Sequence, residues 1–325
     1  MAAASSLRVA FFGTPEIAVP TLERLIAGPW EVVAVVSQPD RPRGRGRKLS
    51  PSPVARTALE AGIPLLRPER VGEPEVVEAL RALAPDIGVV VAFGQFIPKA
   101  LRELPGLGFM INAHASLLPH FRGAAPINHA ILAGEKTTGI SVMRIEREMD
   151  TGPVALVRET RIGDHENTAE LGERLARLAA EAVDEALGQL AAGRIEWSEQ
   201  DHARASLAPK VERDMARLDW HESAAALARR VYAMAPKPGA FTLLAGEPLR
   251  ILAAEVRAGK VGEPPGTVRC DGESLRIATG EGWLIPLRLQ RAGARAMEVD
   301  AFLRGRPIPD GIRLGADDPV ASGHE

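Results

Sequence analysis

Apolar residues in the first third of the chain gather in short unbroken runs instead of alternating with polar ones. The runs are Val9-Ala10-Phe11-Phe12, Val32-Val33-Ala34-Val35-Val36 and Ile87-Gly88-Val89-Val90-Val91-Ala92. Such runs fit strands covered on both faces, as in a parallel sheet. Between the first two, Val19, Leu22, Leu25 and Ile26 recur at helical spacing, which gives a helix an apolar stripe to lay on that sheet. The β-α-β order predicts a doubly wound α/β domain whose ligands bind beyond the carboxyl ends of the strands. Phe109-Met110-Ile111 and Ile140 to Ile145 continue the strand series. Leu171, Leu175, Leu178, Ala182, Leu187 and Leu190 then mark one face of a long helix that closes this domain against its sheet. Asn167-Thr168-Ala169-Glu170 opens it, because a capping side chain followed three residues later by Glu satisfies the first orphan N–H groups.

The pattern changes near residue 190. Residues 191–209 are polar and without period, with Glu196, Glu199, Asp201 and Arg204, and read as a linker. A helix follows over Ser223 to Ala233. Short strand-like runs then cover Ala240 to Leu244, Leu249 to Val256, Gly266 to Arg269, Ser274 to Ala278 and Trp283 to Leu289. Short strands separated by Gly- and Pro-containing turns predict a small β-barrel. The chain thus divides into a first domain over 1–190, a linker over 191–209 and a second domain over 210–325. A length of 325 residues suits two domains with full cores.

Charge and cysteine content narrow the class. A formal charge of −2 is neutral on nucleic acid, since a local basic patch survives a balanced total. The single Cys270 permits no intrachain disulfide and no multi-Cys metal cluster. Met1-Ala2-Ala3-Ala4-Ser5-Ser6 lacks the basic start of a secretory signal, and no apolar run is long enough to span a bilayer, so a cytoplasmic protein is expected. A dinucleotide reading fails at the first strand end. Gly13-Thr14-Pro15-Glu16-Ile17-Ala18 has no second or third glycine. Thr14 and Pro15 read instead as the N-cap and first residue of a helix.

Candidate chemistry sits at Asn112 and His114, at the end of the Phe109-Met110-Ile111 run. Extended backbone points both to one face, so an amide donor and an imidazole can converge on one ligand oxygen. The same pair can equally hydrogen-bond a strand end. Asp150, beyond the next apolar run, can return to the imidazole, although Asp before Thr-Gly is also a common turn residue. The other histidines show no metal-ligand spacing. Residues 41–48 carry Arg41, Arg43, Arg45, Arg47 and Lys48 without an acid. Pro42, Gly44 and Gly46 make this an irregular exposed loop, either merely solvated or drawn to a polyanion that would relieve the repulsion.

These motifs occur together and in order. Asn112-Ala113-His114-Ala115-Ser116-Leu117-Leu118-Pro119, Arg122-Gly123-Ala124-Ala125-Pro126 and Asp150-Thr151-Gly152 resemble the folate-dependent formyltransferase superfamily. Phe12-Gly13-Thr14-Pro15, Ser37-Gln38-Pro39-Asp40-Arg41-Pro42, Leu49-Ser50-Pro51-Ser52-Pro53-Val54 and Ala278-Thr279-Gly280-Glu281-Gly282 bring the resemblance closest to members that act on methionyl-tRNA. The resemblance implies a Rossmann-like formyltransferase domain followed by an OB-like, tRNA-binding domain. It implies transfer of the formyl group of 10-formyltetrahydrofolate to the amine of initiator methionyl-tRNA, without a metal and as a monomer. Asn112, His114 and Asp150 would be the catalytic residues. Phe93, Gly94, Ser116, Leu117, Leu118 and Pro119 would line the folate site. Arg41, Arg43, Arg45, Arg47 and Lys48 would engage the tRNA acceptor arm. Three other readings keep part of this pattern. A sugar-nucleotide or glycinamide-ribonucleotide formyltransferase and a formyltetrahydrofolate hydrolase keep Asn112, His114 and Asp150 but need no basic loop. An RNA-binding module without catalysis needs the loop and barrel but not those three residues.

Overall fold

The computed structural model describes residues 6–43 and 48–315. The chain begins with β1 (Arg8–Gly13), a 3-10 turn at Glu16–Ala18, α1 (Val19–Ala27) and β2 (Glu31–Val36). Next come β3 (Arg41–Arg43), β4 (Lys48–Ser50), α2 (Pro53–Glu60), β5 (Leu65–Leu66) and α3 (Pro74–Ala82). β6 (Ile87–Val91), α4 (Lys99–Arg102), β7 (Met110–His114), α5 (Pro126–Ala133), β8 (Thr137–Arg144), β9 (Val154–Arg161) and α6 (Thr168–Ala191) follow. The chain forms two compact units. The first runs to Pro126 and takes in Thr137–Arg161 and Gly172–Pro209, and the second takes in Ile127–Lys136, Ile162–Leu171 and the chain from Lys210.

The first unit holds a sheet in the order β5-β2-β1-β6-β7-β8-β9. From β5 to β7 all neighbours are parallel, and the apolar runs are covered on both faces, as their lack of alternation requires. β8 and β9 run antiparallel to their neighbours, so the wholly parallel sheet expected from the runs becomes a mixed one. An unbroken apolar run reports burial and carries no information on strand direction. β9, at the sheet edge, alternates half-buried and exposed residues over its second half. The order reverses at β1, where the chain first adds strands on one side and later on the other. Ligands of such sheets sit at that reversal, beyond the carboxyl ends.

Three local expectations are corrected. Thr14 does not cap a helix; its Oγ1 donates to the Phe93 carbonyl at 2.9 Å and accepts from the Gln38 amide, tying three strand ends together. Arg41 to Lys48 is not wholly irregular, since β3 and β4 form a two-stranded antiparallel ladder with Arg41 opposite Ser50 and Arg43 opposite Lys48. Residues 44–47, with Gly44, Arg45, Gly46 and Arg47, lie outside the described ones. Residues 191–209 are packed onto the first unit and do not form a loose linker. Ser198 exchanges backbone hydrogen bonds with Val154, and the Arg122 backbone bonds to Ser206 and Ala208. Trp197 meets the Phe109 ring edge-on at 5.6 Å, with the Arg144 guanidinium 4.0 Å over the Phe109 ring.

The capping signal at α6 is present: Asn167 Oδ1 accepts from the N–H groups of Ala169 and Glu170, and Glu170 Oε2 accepts from Asn167 N–H. Its first turn, through Leu171, groups with the second unit, and only the rest of the helix belongs to the first.

In the second unit α7 (Ala224–Met234) starts at the cap Ser223, whose hydroxyl accepts from Ala226 N–H. It packs against the longest strand of an antiparallel sheet. That sheet comprises β10 (Ala240–Leu244), β11 (Glu247–Arg257), β12 (Val268–Cys270), β13 (Leu275–Ala278), β14 (Trp283–Arg291) and β15 (Met297–Glu298), with α8 (Val299–Gly305) after it. The order is β10-β11-β14-β13-β12, with β15 on β14. Among the described residues β10 and β12 do not pair with each other, so the expected barrel is a curled half-barrel. Leu227, Val231, Met234, Ile251, Leu284 and Leu289 form its core.

Candidate active site

β7 delivers Asn112 and His114 to the carboxyl end of the first sheet on one face of the strand. Asn112 is registered against Val90 of β6 and Met143 of β8. It is half-buried, and its carboxamide has no hydrogen-bond partner among the described residues. A strand-end residue that served only structure would spend that amide on backbone.

His114 is 6% exposed and faces an oxygen at each ring nitrogen: Nε2 lies 2.9 Å from the Phe121 carbonyl and Nδ1 3.5 Å from Asp150 Oδ2. The first is a hydrogen bond and the second a looser ion-pair contact. A ring with both nitrogens protonated has an acceptor for each. Asp150 Oδ2 is itself fixed by the Gly123 N–H at 2.8 Å. Asp150 has φ +56°, a left-handed conformation that costs an L-residue about 1–2 kcal/mol. Its loop is shaped by Gly152, where an added Cβ would stand 2.1 Å from the Arg144 carbonyl oxygen.

The residues after β7 hold the turn that frames this cluster. Ser116 is fully buried; its hydroxyl donates to the His120 carbonyl at 2.6 Å, and its own carbonyl accepts from Ser141 Oγ. Ser141, opposite His114 in β8, also accepts from Leu118 N–H. Leu117, Leu118 and Pro119 remain half-buried. On the β6 side, Phe93 turns its ring into the core, edge-on to Phe12 at 5.6 Å, and its carbonyl accepts from Thr14 and Gln38. Ala92 and Gly94, on either side of it, are exposed. Of the expected folate-site residues, Ser116 and Phe93 therefore have their polar groups or ring already engaged. Gly94, Leu117, Leu118 and Pro119 retain open surface.

Of the basic residues, Arg41 lies 3.7 Å from Glu69, with both side chains mostly exposed. Arg43 and Lys48 are placed by backbone pairing alone. Arg45 and Arg47 lie outside the described residues. Among the described residues no group of three or more His, Cys, Asp or Glu could hold a metal, and no helix is long and apolar enough to cross a membrane.

Sequence reasoning missed a second layer. Arg122 is 7% exposed; its Nε and Nη2 donate to Gln200 Oε1 at 3.1 and 2.6 Å, and Nη2 also contacts His202 Nδ1 at 3.0 Å. Ser206 Oγ accepts from Phe121 N–H. Three of these residues fall in the supposed linker, where isolated polar side chains leave no periodic signal.

Comparison with known proteins identifies the family. Residues 7–187 match the family profile described as formyl transferase, and residues 210–307 match the formyl transferase C-terminal domain. The methionyl-tRNA formyltransferase of Methylococcus capsulatus is 46% identical over 309 residues, covering 95% of this chain and 100% of that protein. That of Trichlorobacter lovleyi is 42% identical over 308 residues, covering 94% and 96%. Among solved structures, WlaRD, a sugar 3N-formyl transferase, shares 14% identity with a TM-score of 0.65 over 86% of this chain and 97% of its own. HypX from Aquifex aeolicus, in complex with tetrahydrofolic acid, shares 19% identity with a TM-score of 0.61; 92% of this chain matches, spanning 47% of HypX. At these identities the two structures speak for the fold alone. Both profiles match in order and the relatives are alike from end to end: the chain belongs to the formyl transferase family.

Proposed function

We propose that this chain is a methionyl-tRNA formyltransferase, moving the formyl group of 10-formyltetrahydrofolate to the free amine of initiator methionyl-tRNA. The acceptor rests on the near-full-length identity to the relatives of that name. The chemistry rests on the unpartnered Asn112 carboxamide beside the His114 and Asp150 pair.

10-Formyltetrahydrofolate supplies a formyl carbon whose oxygen gains negative charge as the amine attacks. Asn112, whose amide has no hydrogen-bond partner among the described residues, donates to that oxygen without first breaking another bond, the preorganisation that makes such donors effective. His114 accepts the amine's proton at Nδ1, the nitrogen that the Phe121 carbonyl does not engage, and returns it to N10 of the folate as the formyl carbon–N10 bond breaks and tetrahydrofolate leaves; Asp150 at 3.5 Å faces the imidazolium in between. The residues present fit a folate. Gly94 offers exposed backbone where a Cβ would stand 2.6 Å from Gln38 Nε2. Leu117, Leu118 and Pro119 offer half-buried apolar surface, while Phe93 and Ser116 hold the two loops in place. The protein acts in the cytoplasm as a monomer, on this reading.

On this reading Arg41, Arg43, Arg45, Arg47 and Lys48 engage the acceptor arm, as the density of cations in this segment suits a polyanion. Neutralising Arg43, Arg45 and Arg47 lowers the slope of log tRNA affinity against log salt by about one for each phosphate that no longer meets a cation. An unchanged slope removes this segment from the RNA-binding surface.

Labelled formyl donor offered with initiator methionyl-tRNA, uncharged tRNA, an amino-sugar nucleotide and water tests the acceptor. Label on the methionine amine is expected. Label on the sugar, or released as formate, would keep the donor site and overturn the RNA assignment.

A further inference from the structure

The Gln200 carboxamide has all of its hydrogen-bonding capacity committed, and every bond serves the two loops that face His114. Its Nε2 donates to the Asp150 carbonyl at 2.9 Å and to the Gly152 carbonyl at 2.7 Å. Its Oε1 accepts from Nε and Nη2 of Arg122. Two donors and two lone pairs are thereby satisfied, and turning the amide over would set donor against donor and acceptor against acceptor. The residue is 8% exposed.

What these bonds hold is specific. Asp150 sits at φ +56°, a conformation its own backbone disfavours, and Gln200 grips the carbonyl of that same residue. Residues on either side of Arg122 supply the remaining contacts: the Phe121 carbonyl accepts from His114 Nε2, and Gly123 N–H donates to Asp150 Oδ2. Both oxygens that face the imidazole are therefore set by loops which one buried carboxamide joins. Arg122 is anchored in turn by Nη2 against His202 Nδ1, which makes that nitrogen an acceptor.

From this geometry we infer that Gln200 is a positioning residue for formyl transfer, acting through Asp150 and Phe121 on the orientation of the His114 ring. The inference rests on the proposed reaction for its kinetic consequence and on the structure alone for its effect on the ring. A carboxylate at 200 cannot replace the amide, since it accepts from Arg122 but has no hydrogen for the Asp150 and Gly152 carbonyls. An asparagine is one methylene too short to span both loops.

Gln200→Glu is the informative variant, because it keeps the volume and the acceptor that Arg122 needs. A shift of about 1 Å in a group that positions a reacting side chain can lower activity by up to about a hundredfold. The expected result is a fall of that size in kcat, with KM for donor and acceptor within about twofold. In a His114→Ala background the same change costs less than about threefold, because groups acting as a unit are not additive. Equal cost in both backgrounds would show a packing role and overturn the inference. Ring signals of His114, followed by NMR against pH in the whole protein, give a readout that needs no turnover. They move in Gln200→Glu if the residue positions the ring, and unchanged signals overturn it. Should Gln200→Glu fail to fold, Arg122→Met with Gln200→Met removes both sides of the Arg122–Gln200 contact, so that no buried guanidinium is left without its acceptor, and the same ring signals decide. A wild-type protein that transfers no formyl group while its His114 signals respond to Gln200→Glu would sink the proposed function and leave the positioning role standing.

Discussion

Replacing Asn112 with alanine is expected to lower kcat for formyl transfer by about a hundred- to a thousandfold while KM for both substrates stays within about threefold. Removal of one preorganised donor from a developing oxyanion typically costs that much. The interaction exists only once charge has formed, so ground-state binding does not register it. Asn112→Asp separates donor from size: it keeps the shape, removes both N–H groups and sets a negative charge against the oxyanion. Its kcat should fall at least as far as that of Asn112→Ala. A variant with raised KM and unchanged kcat would make Asn112 a residue of uniform binding. The half-buried, unpartnered amide is what separates this expectation from a structural role, because a strand-end Asn bonded to backbone would lose stability when truncated, with turnover following only through unfolding.

Gly152→Ala has the second large effect, and it acts on stability as well as rate. The new Cβ would stand 2.1 Å from the Arg144 carbonyl oxygen and 3.0 Å from its carbon. The Arg144 N–H donates to the Pro153 carbonyl, so the two backbones approach too closely for either to yield cheaply. Overpacking typically costs about 1–3 kcal/mol, and a clash with backbone belongs at the upper end, about 3 kcal/mol by denaturant titration. Relief requires the 150–152 loop to move away from β8, taking the Asp150 carboxylate from His114. A shift of about 1 Å in a positioning group can lower kcat by about a hundredfold. Gly188→Ala is the control: nothing lies within 4 Å of its new Cβ, and alanine in α6 should stabilise by about 0.5–1 kcal/mol. If both variants melt together and turn over like the wild type, the close approach drawn at Gly152 is wrong.

What was legible in the sequence follows from what leaves a periodic trace. Strands buried on both faces show as unbroken runs, so β1, β2, β6 and β7 could be read, as could α6 and α7 from their apolar stripes and caps. Asn112 and His114 shared a face by strand spacing alone. Direction leaves no such trace, which hid the antiparallel β8 and β9. Thr14 looked like a cap because the residues around a helix start are identical whether its hydroxyl turns to the helix or across to Phe93. Asp150 needed the family pattern, since nothing in Asp-Thr-Gly says where a loop returns. Gln200, His202 and Ser206 stood in a stretch without period, and their partners at Arg122 and Phe121 lie about eighty residues away in the chain. Single polar residues paired over such separations are visible only once the backbone is folded.

The central claim is that the cluster at the end of β7 transfers a formyl group to an amine carried by tRNA. Its most direct test is a single-turnover measurement of labelled formyl moving from 10-formyltetrahydrofolate to initiator methionyl-tRNA, with wild-type protein and His114→Ala both saturated with substrates. Label on the methionine amine at a rate at least about a hundredfold faster in the wild type is predicted. Equal rates in the two proteins, or label that never reaches the amine, would contradict the account.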